Sequence, residues 1–201
     1  IVPPESMDDL LSSRFRGQIA LQDPRISSPG QQFLFWVFAQ KGFPMGEKGD
    51  GARGFLTQLA PNIQSISSSW AQAYGLFQSG HAKLVMSYLT SPLYHLIEEG
   101  KSEYRASVFK EGHPIQVEFA GVPAGSLQKE AALLFLSFLL EPESQSIIMK
   151  KNYMLPVVDS VKKGTEFDKI PELKLIEGSI NLRLGDRKHE MLEIWKRIDG
   201  F

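Results

Sequence analysis

Cysteine is absent from the 201-residue chain, and several kinds of chemistry are excluded with it. Without a thiol the chain can form no disulfide, no thiolate metal site and no cysteine nucleophile. Long apolar runs are also lacking, since none reaches the ~18 residues of a membrane-spanning helix. The formal net charge is only -1. Such a balanced charge argues against nucleic acid or an anionic membrane surface as a partner.

Signatures of common enzyme and cofactor sites are scarce as well. The chain has no G-x-S-x-G motif, which a serine hydrolase would need. None of its four histidines is expected to share a metal ion with a neighbour at i,i+4 spacing. The stretch GDGARG has the spelling of a dinucleotide fingerprint, but no strand precedes it. We interpret it as part of a loop from Phe43 to Gly54, and we expect neither a metal nor a cofactor.

Short apolar segments alternate with segments of helical periodicity along the chain. Strands are predicted at residues 18–22, 63–67, 83–88, 104–109 and 114–121. Helices are predicted to begin at Ser6 and to cover Pro29–Lys41, Phe55–Leu59 and residues 69–80, 91–100, 129–140, 142–151 and 186–198. This alternation predicts an α/β fold rather than an all-α or all-β one.

Two adjacent serines precede the predicted helix at Pro29. In the segment DPRISSPG, Ser27 and Ser28 stand where free backbone N–H groups and the helix dipole attract an anion. The serine hydroxyls could hold the oxygens of the same anion. A plain N-cap is the commoner use of serine at this position, so both interpretations stay open.

Aromatic residues occur at several predicted junctions between strands and helices. Trp70 follows the predicted N-cap Ser69, while Tyr88 and Tyr94 lie in the segment SYLTSPLYH. In open α/β sheets such junctions line the ligand crevice. The alternative for each ring is an ordinary buried place in the core.

Four segments, taken in order, are similar to a known family. They are ALQDPRISSPG, residues 69–95, EGHPIQVEFAG and NYMLPV. Together they resemble the periplasmic thiamine-binding proteins of ABC importers, over the range from Ser6 to Val157. The segment EIWKRI near the C-terminus is also similar. The resemblance implies a periplasmic binding protein that closes on its ligand about a hinge and catalyses no reaction.

The resemblance also implies a domain organisation. The fold would be α/β and periplasmic-binding-protein-like, with one complete lobe plus part of the other. Residues 1–113 and 158–201 would form the second, C-terminal lobe. Residues 114–157 would be the returning segment of the first lobe, with the hinge crossings. The remainder of the first lobe would come from an N-terminal segment that family members carry and this sequence lacks.

Six positions match the family's ligand-contact motifs. They are Ser27, Ser28, Trp70, Tyr88, Tyr94 and Tyr153. The resemblance implies that the serines hold a phosphate or hydroxyl oxygen of thiamine or its phosphates. The rings would stack on the pyrimidine and attract the cationic thiazolium. Tyr153 stands where the family pattern has tryptophan, which leaves the identity of the ligand open.

The implied partners are thiamine or a thiamine phosphate and an ABC permease in the inner membrane. Another small solute, such as a polyamine or ferric ion, is the first alternative. Ferric ion is disfavoured because iron-binding relatives use adjacent tyrosines, whereas Tyr88 and Tyr94 are not adjacent. A thiamine-related hydrolase is the enzymatic alternative, and it would require a nucleophile other than cysteine.

Overall fold

The structure is a computed structural model that describes residues 2–44, 51–176 and 185–198. The chain divides into two compact units. Unit 1 comprises Ile1–Ser87, Ser107–Gln116 and Leu173–Phe201, and unit 2 comprises Tyr88–Ala106 and Val117–Glu172. Each unit is therefore assembled from separate segments of the sequence.

The bounds of these units differ from those of the predicted lobes. Residues 88–106 were expected in the second lobe, whereas they group with residues 117–172 in unit 2. The lobes refer to a whole binding protein and the units to this chain alone. The lobe assignment therefore stays a prediction.

Unit 1 is built on a three-stranded parallel sheet. Its strands are β1 (Ile19–Gln22), β2 (Ile63–Ser67) and β3 (Leu84–Val85), in the order β2-β1-β3. Every residue of β1 is buried, which explains the nearly continuous apolar sequence of this central strand. The chain leaves β1 for β2 on one side and comes back to β3 on the other. The direction in which strands are added therefore reverses between β1 and β3, and open parallel sheets form a crevice outside the carboxyl ends of the strands at such a reversal.

The α-helices lie between and after these strands. They are α1 (Ser28–Lys41), α2 (Gly51–Leu59), α3 (Trp70–Gln78), α4 (Ser91–Glu99), α5 (Lys129–Leu139), α6 (Pro142–Asn152) and α7 (Lys188–Trp195). Helices α4, α5 and α6 belong to unit 2 and the others to unit 1.

The core of unit 1 collects apolar side chains of α1 and α2 against the sheet. Helix α1 alone buries Phe33, Leu34, Trp36, Val37 and Phe38. The Trp36 ring lies 4.8 Å from the Phe109 ring, and its indole N–H donates to the Gly112 carbonyl at 3.0 Å. That hydrogen bond matters because a buried N–H without an acceptor costs about 1–3 kcal/mol.

Several start and stop signals in the sequence act as predicted. The Ser69 hydroxyl caps α3 by accepting from the Gln72 N–H at 3.3 Å. Gly42 ends α1 with a φ of 73°. Helices α5 and α6 are separate, and Pro142 begins the second of them. Local chemistry of caps and breakers therefore fixes these boundaries.

The N-terminal prediction is only half right. Ser6 and Asp9 exchange the two hydrogen bonds of a capping box, both at 3.1 Å. The chain that follows forms the short 3₁₀ helices Asp8–Leu11 and Ser13–Phe15 instead of an α-helix. The hydrogen bonds of the capping box are thus present, but no α-helix follows them.

Two predicted strands are wrong. Residues 104–109 and 114–121 contain no strand, and the neighbouring His113 forms one isolated bridge with Leu175. A strand needs a neighbouring backbone for its N–H and C=O groups, and the described residues supply none along these segments. The predicted strand 83–88 shortens to Leu84–Val85, and the predicted loop is already helical from Gly51. Residues 45–50 of that loop lie outside the described residues.

Unit 2 contains an apolar helix, α5, whose apolar side chains are largely exposed. No residue of α5 is buried, and its exposed apolar side chains are Leu133, Leu134, Phe135 and Phe138, here called the α5 face. In the described part of the chain, no single helix is long and apolar enough to cross a membrane. Helices α5 and α6 meet that test of length and composition only together, as a pair bent by 73°.

Candidate ligand-binding site

The carboxyl ends of β1 and β2 bring two polar loops to one edge of the sheet. The loop after β1 begins at Asp23, and the loop after β2 begins at Ser68. The Asp23 N–H donates to the Ser67 carbonyl at 2.9 Å, which extends the ladder one residue beyond β1. The two loops are therefore held side by side at the edge where parallel α/β sheets bind ligands.

An internal ion pair closes the loop after β1. The Asp23 carboxylate accepts hydrogen bonds from the Arg25 backbone N–H at 2.8 Å and from its Nε at 2.8 and 2.9 Å. These side-chain hydrogen bonds from Arg25 hold the pKa of Asp23 below its usual range. The carboxylate is thereby compensated by a cation, so it repels an anion at the neighbouring helix start less strongly.

Gly30 determines how closely α1 approaches β1. A Cβ atom at this position would lie 2.4 Å from the Gln22 carbonyl oxygen and less than 3 Å from two further backbone carbons. Only glycine, which lacks a Cβ, allows this approach. The first turn of α1 is consequently pressed against the end of β1.

The two predicted serine contacts have different environments. Ser27 is 7% exposed and is the N-cap of α1, where its carbonyl accepts from the Gln31 N–H at 2.9 Å and its hydroxyl makes no capping bond. Ser28 begins the helix and is exposed. Because the hydroxyls do not cap the helix, the interpretation as an anion site retains its geometric basis.

Trp70 is the first residue of α3. Its ring stacks on that of Tyr74, with centroids 4.6 Å apart and planes inclined by 23°. Its indole N–H donates to the Ser87 hydroxyl at 2.9 Å. Tyr74 is buried, whereas Trp70 is only half-buried. The tryptophan ring is therefore held in a fixed orientation while part of it stays open to solvent.

Tyr88 and Tyr94 flank the start of α4 in unit 2. The Tyr88 carbonyl accepts from the Ser91 N–H at 3.0 Å, in the turn that leads into the helix. Thr90 is the N-cap residue and Ser91 begins the helix, as the predicted range 91–100 has it. Tyr88 is half-buried, and Tyr94, in the first turn, is 43% exposed.

Tyr153 ends α6 in an unusual backbone conformation. Its φ of 53° is the one positive value of a non-glycine residue in the part of the chain that the structure describes. The left-handed region is strained for a residue with a Cβ. The Tyr153 ring packs edge-on against the Tyr94 ring with centroids 5.4 Å apart, and its hydroxyl donates to Glu98 Oε1 at 2.7 Å. Burial and, after it, the Glu98 hydrogen bond raise the pKa of Tyr153 to about 12.

Helix α4 also contains a buried histidine. His95 is fully buried, stacks on Tyr104 at 3.6 Å and meets the Glu99 carboxylate through Nδ1 at 2.9 Å. Hydrogen bonds from His95 and then from Lys101 lower the pKa of Glu99. Within residues 2–44, 51–176 and 185–198 no cluster of three or more potential metal ligands is found, so we assign this histidine to the packing of α4.

Unit 2 also has an open apolar depression of about 270 Å³. Leu93 and Leu96 of α4 line it, together with Ile170 and Pro171. It includes none of the six predicted contacts. The depression is therefore separate from the six predicted contacts.

The six predicted contacts divide equally between the units. Ser27, Ser28 and Trp70 lie in unit 1, and Tyr88, Tyr94 and Tyr153 lie in unit 2. All four rings are at least partly exposed, so the alternative of fully buried core positions is wrong for each. The structure brings Tyr94 and Tyr153 into contact and places the serines side by side.

Sequence reasoning missed three supporting residues. Glu98 accepts from Tyr153, and Ser87 accepts from Trp70. Gln22 is buried at the end of β1 and donates through Nε2 to the Met86 carbonyl at 3.0 Å. Two of them had a signal in the sequence. Gln22 is a polar residue at the end of an apolar strand, and Glu98 is an acidic residue four positions after Tyr94 on a helix.

The family of the chain follows from a comparison with known proteins. The family model described as bacterial extracellular solute-binding protein matches residues 2–174. The chain belongs to this family. Membership confirms the prediction of a solute-binding protein, and the similar proteins described next are named as periplasmic, in agreement with the predicted periplasmic location.

Individual members of the solute-binding family are similar over most of the chain. The thiamine-binding periplasmic protein of Escherichia coli K12 is 41% identical over 157 residues, which are 78% of this chain and 46% of that protein. A solved periplasmic thiamin binding protein superposes with a TM-score of 0.85 at 35% sequence identity. The match covers 98% of this chain and 59% of the chain of that protein. These matches confirm the α/β periplasmic-binding-protein fold.

More distant solved structures share the fold alone. A ferric binding protein from Campylobacter jejuni superposes with a TM-score of 0.67 at 16% identity, over 97% of this chain and 62% of its own. The chain spans about half the length of the curated relatives it matches. It therefore corresponds to one part of the solute-binding proteins it resembles.

Proposed function

We propose that the chain is part of a periplasmic protein that binds thiamine or a thiamine phosphate and delivers it to the permease of an ABC importer. The observation that carries the proposal is the partial exposure of four aromatic rings at helix ends. Partial exposure is ordinary for a single Trp or Tyr, but ligand pockets are lined by several aromatic side chains together with a few polar groups. The relatives that share these segments are described as thiamine-binding.

The two ends of the ligand are proposed to contact different kinds of side chain. Trp70, Tyr88, Tyr94 and Tyr153 offer π faces, which stack on a pyrimidine and attract a cationic thiazolium by about 0.5–2 kcal/mol per ring. Ser27 and Ser28, at the N-terminus of α1, offer hydroxyls and backbone N–H groups to a phosphate or hydroxyl oxygen. By their chemistry alone, the rings suit a flat cation and the serines suit an anionic or hydroxyl group.

The lobe assignment is proposed for the whole protein. Residues 1–113 and 158–201 would form the second lobe, and residues 114–157 would return to the first. The exposed α5 face supports this, because Leu134 is 72% exposed and monomeric proteins rarely leave apolar patches of this kind uncovered. The half-length match to the relatives agrees with further residues packing there.

Calorimetric titration of the intact binding protein tests the proposal. Thiamine and thiamine monophosphate are expected to bind with one site per protein, while spermidine and ferric citrate are not. Chromatography of the recovered ligand is expected to show thiamine unchanged. Saturable binding of spermidine without thiamine binding, or hydrolysis of thiamine monophosphate, would overturn it.

The serine role has its own control. Ser28→Ala is expected to weaken thiamine monophosphate more than thiamine, because the exposed Ser28 hydroxyl bonds a charged phosphate oxygen more strongly than the neutral hydroxyl oxygen of thiamine. Equal weakening of both ligands would contradict an anion site at α1.

A further inference from the structure

We infer that Glu98 is a positioning and specificity-determining residue, which orients Tyr153 against Tyr94 and favours a cationic ring over a neutral one. The inference rests on the proposed function, since it concerns the ligand of the same aromatic residues. Glu98 itself matches none of the sequence motifs from which the six contacts were predicted.

Helix geometry places Glu98 beside the candidate site. Tyr94 and Glu98 are four residues apart on α4, so their side chains share one face of the helix. Tyr153 reaches the same face from the end of α6 and touches both, by a 2.7 Å hydrogen bond to Glu98 and an edge-on ring contact with Tyr94. The three side chains therefore form one cluster within unit 2.

The hydrogen bond fixes a side chain whose backbone is strained. Tyr153 has a φ of 53° and a ψ of 43°, a conformation that persists only when surrounding contacts stabilise it. The donation to Glu98 is one such contact, and the Tyr94 ring is another. Loss of the carboxylate acceptor would release the Tyr153 ring from its edge-on orientation.

The charge of Glu98 has a second consequence. A phenol that donates to a carboxylate becomes polarised, and its ring becomes richer in electrons. An electron-rich ring attracts a cation more strongly, and the carboxylate adds direct attraction. Both effects distinguish a thiazolium from an uncharged ring of the same shape. A neutral ligand would gain only stacking.

A selectivity measurement on the intact binding protein tests the inference. The ligands are thiamine and deazathiamine, in which carbon replaces the quaternary nitrogen. The variants are Glu98→Gln, Tyr153→Phe and their double variant. Glu103→Gln, which removes one exposed charge from the segment after α4, is the control. Calorimetry gives each Kd, and thermal melting verifies that every variant is folded.

Glu98→Gln is expected to raise the Kd of thiamine about twofold to fivefold, the scale of a single exposed charge interaction. The Kd of deazathiamine should change by less. Tyr153→Phe should act in the same direction. Glu98→Gln removes the charge but keeps an acceptor oxygen, and Tyr153→Phe removes the donor. Because both changes weaken the same pair, the double variant should lose less than the sum of the two. Glu103→Gln should leave the ratio of the two Kd values unchanged.

The possible failures are distinguishable. An unmodified protein that binds neither ligand overturns the proposed function and this inference with it. Tight thiamine binding whose preference over deazathiamine is the same in Glu98→Gln overturns the inference alone. Equal weakening of both ligands, or an equal loss of selectivity in Glu103→Gln, also overturns it.

Discussion

Replacing Gly30 by alanine should cost far more stability than the same change at Gly75. The Cβ added at Gly30 would stand 2.4 Å from the Gln22 carbonyl oxygen, 2.8 Å from the Asp23 carbonyl carbon and 2.9 Å from the Gln22 carbonyl carbon. All three are backbone atoms, which cannot rotate away as a side chain can. Helix α1 or strand β1 must therefore shift.

The magnitude follows from two opposing effects. Overpacking in a well-packed core costs about 1–3 kcal/mol, and contact with rigid backbone puts Gly30→Ala at the upper end, about 3 kcal/mol. Alanine in place of glycine within a helix returns about 1 kcal/mol. The expected net loss is thus about 2 kcal/mol of unfolding free energy.

Gly75 supplies the matched control. It lies inside α3, and a Cβ there would meet no atom within 4 Å. Gly75→Ala should therefore raise the unfolding free energy by about 0.5–1 kcal/mol. Urea unfolding followed by circular dichroism measures both changes. A Gly30→Ala variant as stable as Gly75→Ala would refute the close packing of α1 on β1.

Three further predictions concern a phenol, an indole and the α5 face. Because the pKa of Tyr153 is raised to about 12, this phenol adds stability that is full below about pH 10 and is lost as the pH rises through about 12. Ultraviolet titration should show Tyr153 ionising late, and ionising earlier in Glu98→Gln. Trp36→Phe leaves the buried Gly112 carbonyl without its donor and should cost about 1–3 kcal/mol in urea unfolding, and no loss would show that the bond is dispensable. Leu134→Lys should leave the melting temperature of this chain unchanged, because Leu134 is exposed here, yet destabilise the intact protein in which the α5 face is proposed to be covered. An unchanged melting temperature of the intact protein would contradict that proposal.

Local signals in the sequence predicted those helix boundaries and strands that depend only on neighbouring residues. The cap at Ser69, the stop at Gly42 and the break before Pro142 each depend on one residue and its immediate neighbours. The strand at residues 19–22 was recognisable because a central parallel strand is apolar on both faces. These elements needed no knowledge of distant residues.

The wrong predictions share a physical cause. Residues 104–109 and 114–121 have strand-like composition, but a strand forms only where another backbone pairs with it. Likewise, the capping box at Ser6 and Asp9 specifies a helix start but not the packing that would extend it. Both depend on tertiary partners, which composition does not reveal.

The residues of the candidate site were likewise predictable only in part. The aromatic positions were predicted from motifs, and their role as ligand contacts stays a prediction. The pairing of Glu98 with Tyr153 was not predicted, because the hydrogen bond joins residues 55 positions apart in the sequence. The substitution of tyrosine for tryptophan at position 153 was noticed in the sequence. Only the structure shows that its hydroxyl has an acceptor.

Parallel measurement of thiamine affinity and thermal stability in Tyr94→Ala tests the account most directly. The intact binding protein should lose about 1–2 kcal/mol of thiamine binding free energy, the scale of a lost cation–π contact. Its melting temperature should change little, since Tyr94 is 43% exposed. Phe38→Ala, a buried control, should cost about 3–5 kcal/mol of unfolding free energy instead. Unchanged thiamine affinity in Tyr94→Ala, together with a large loss of stability, would contradict the assignment of these rings to a ligand site.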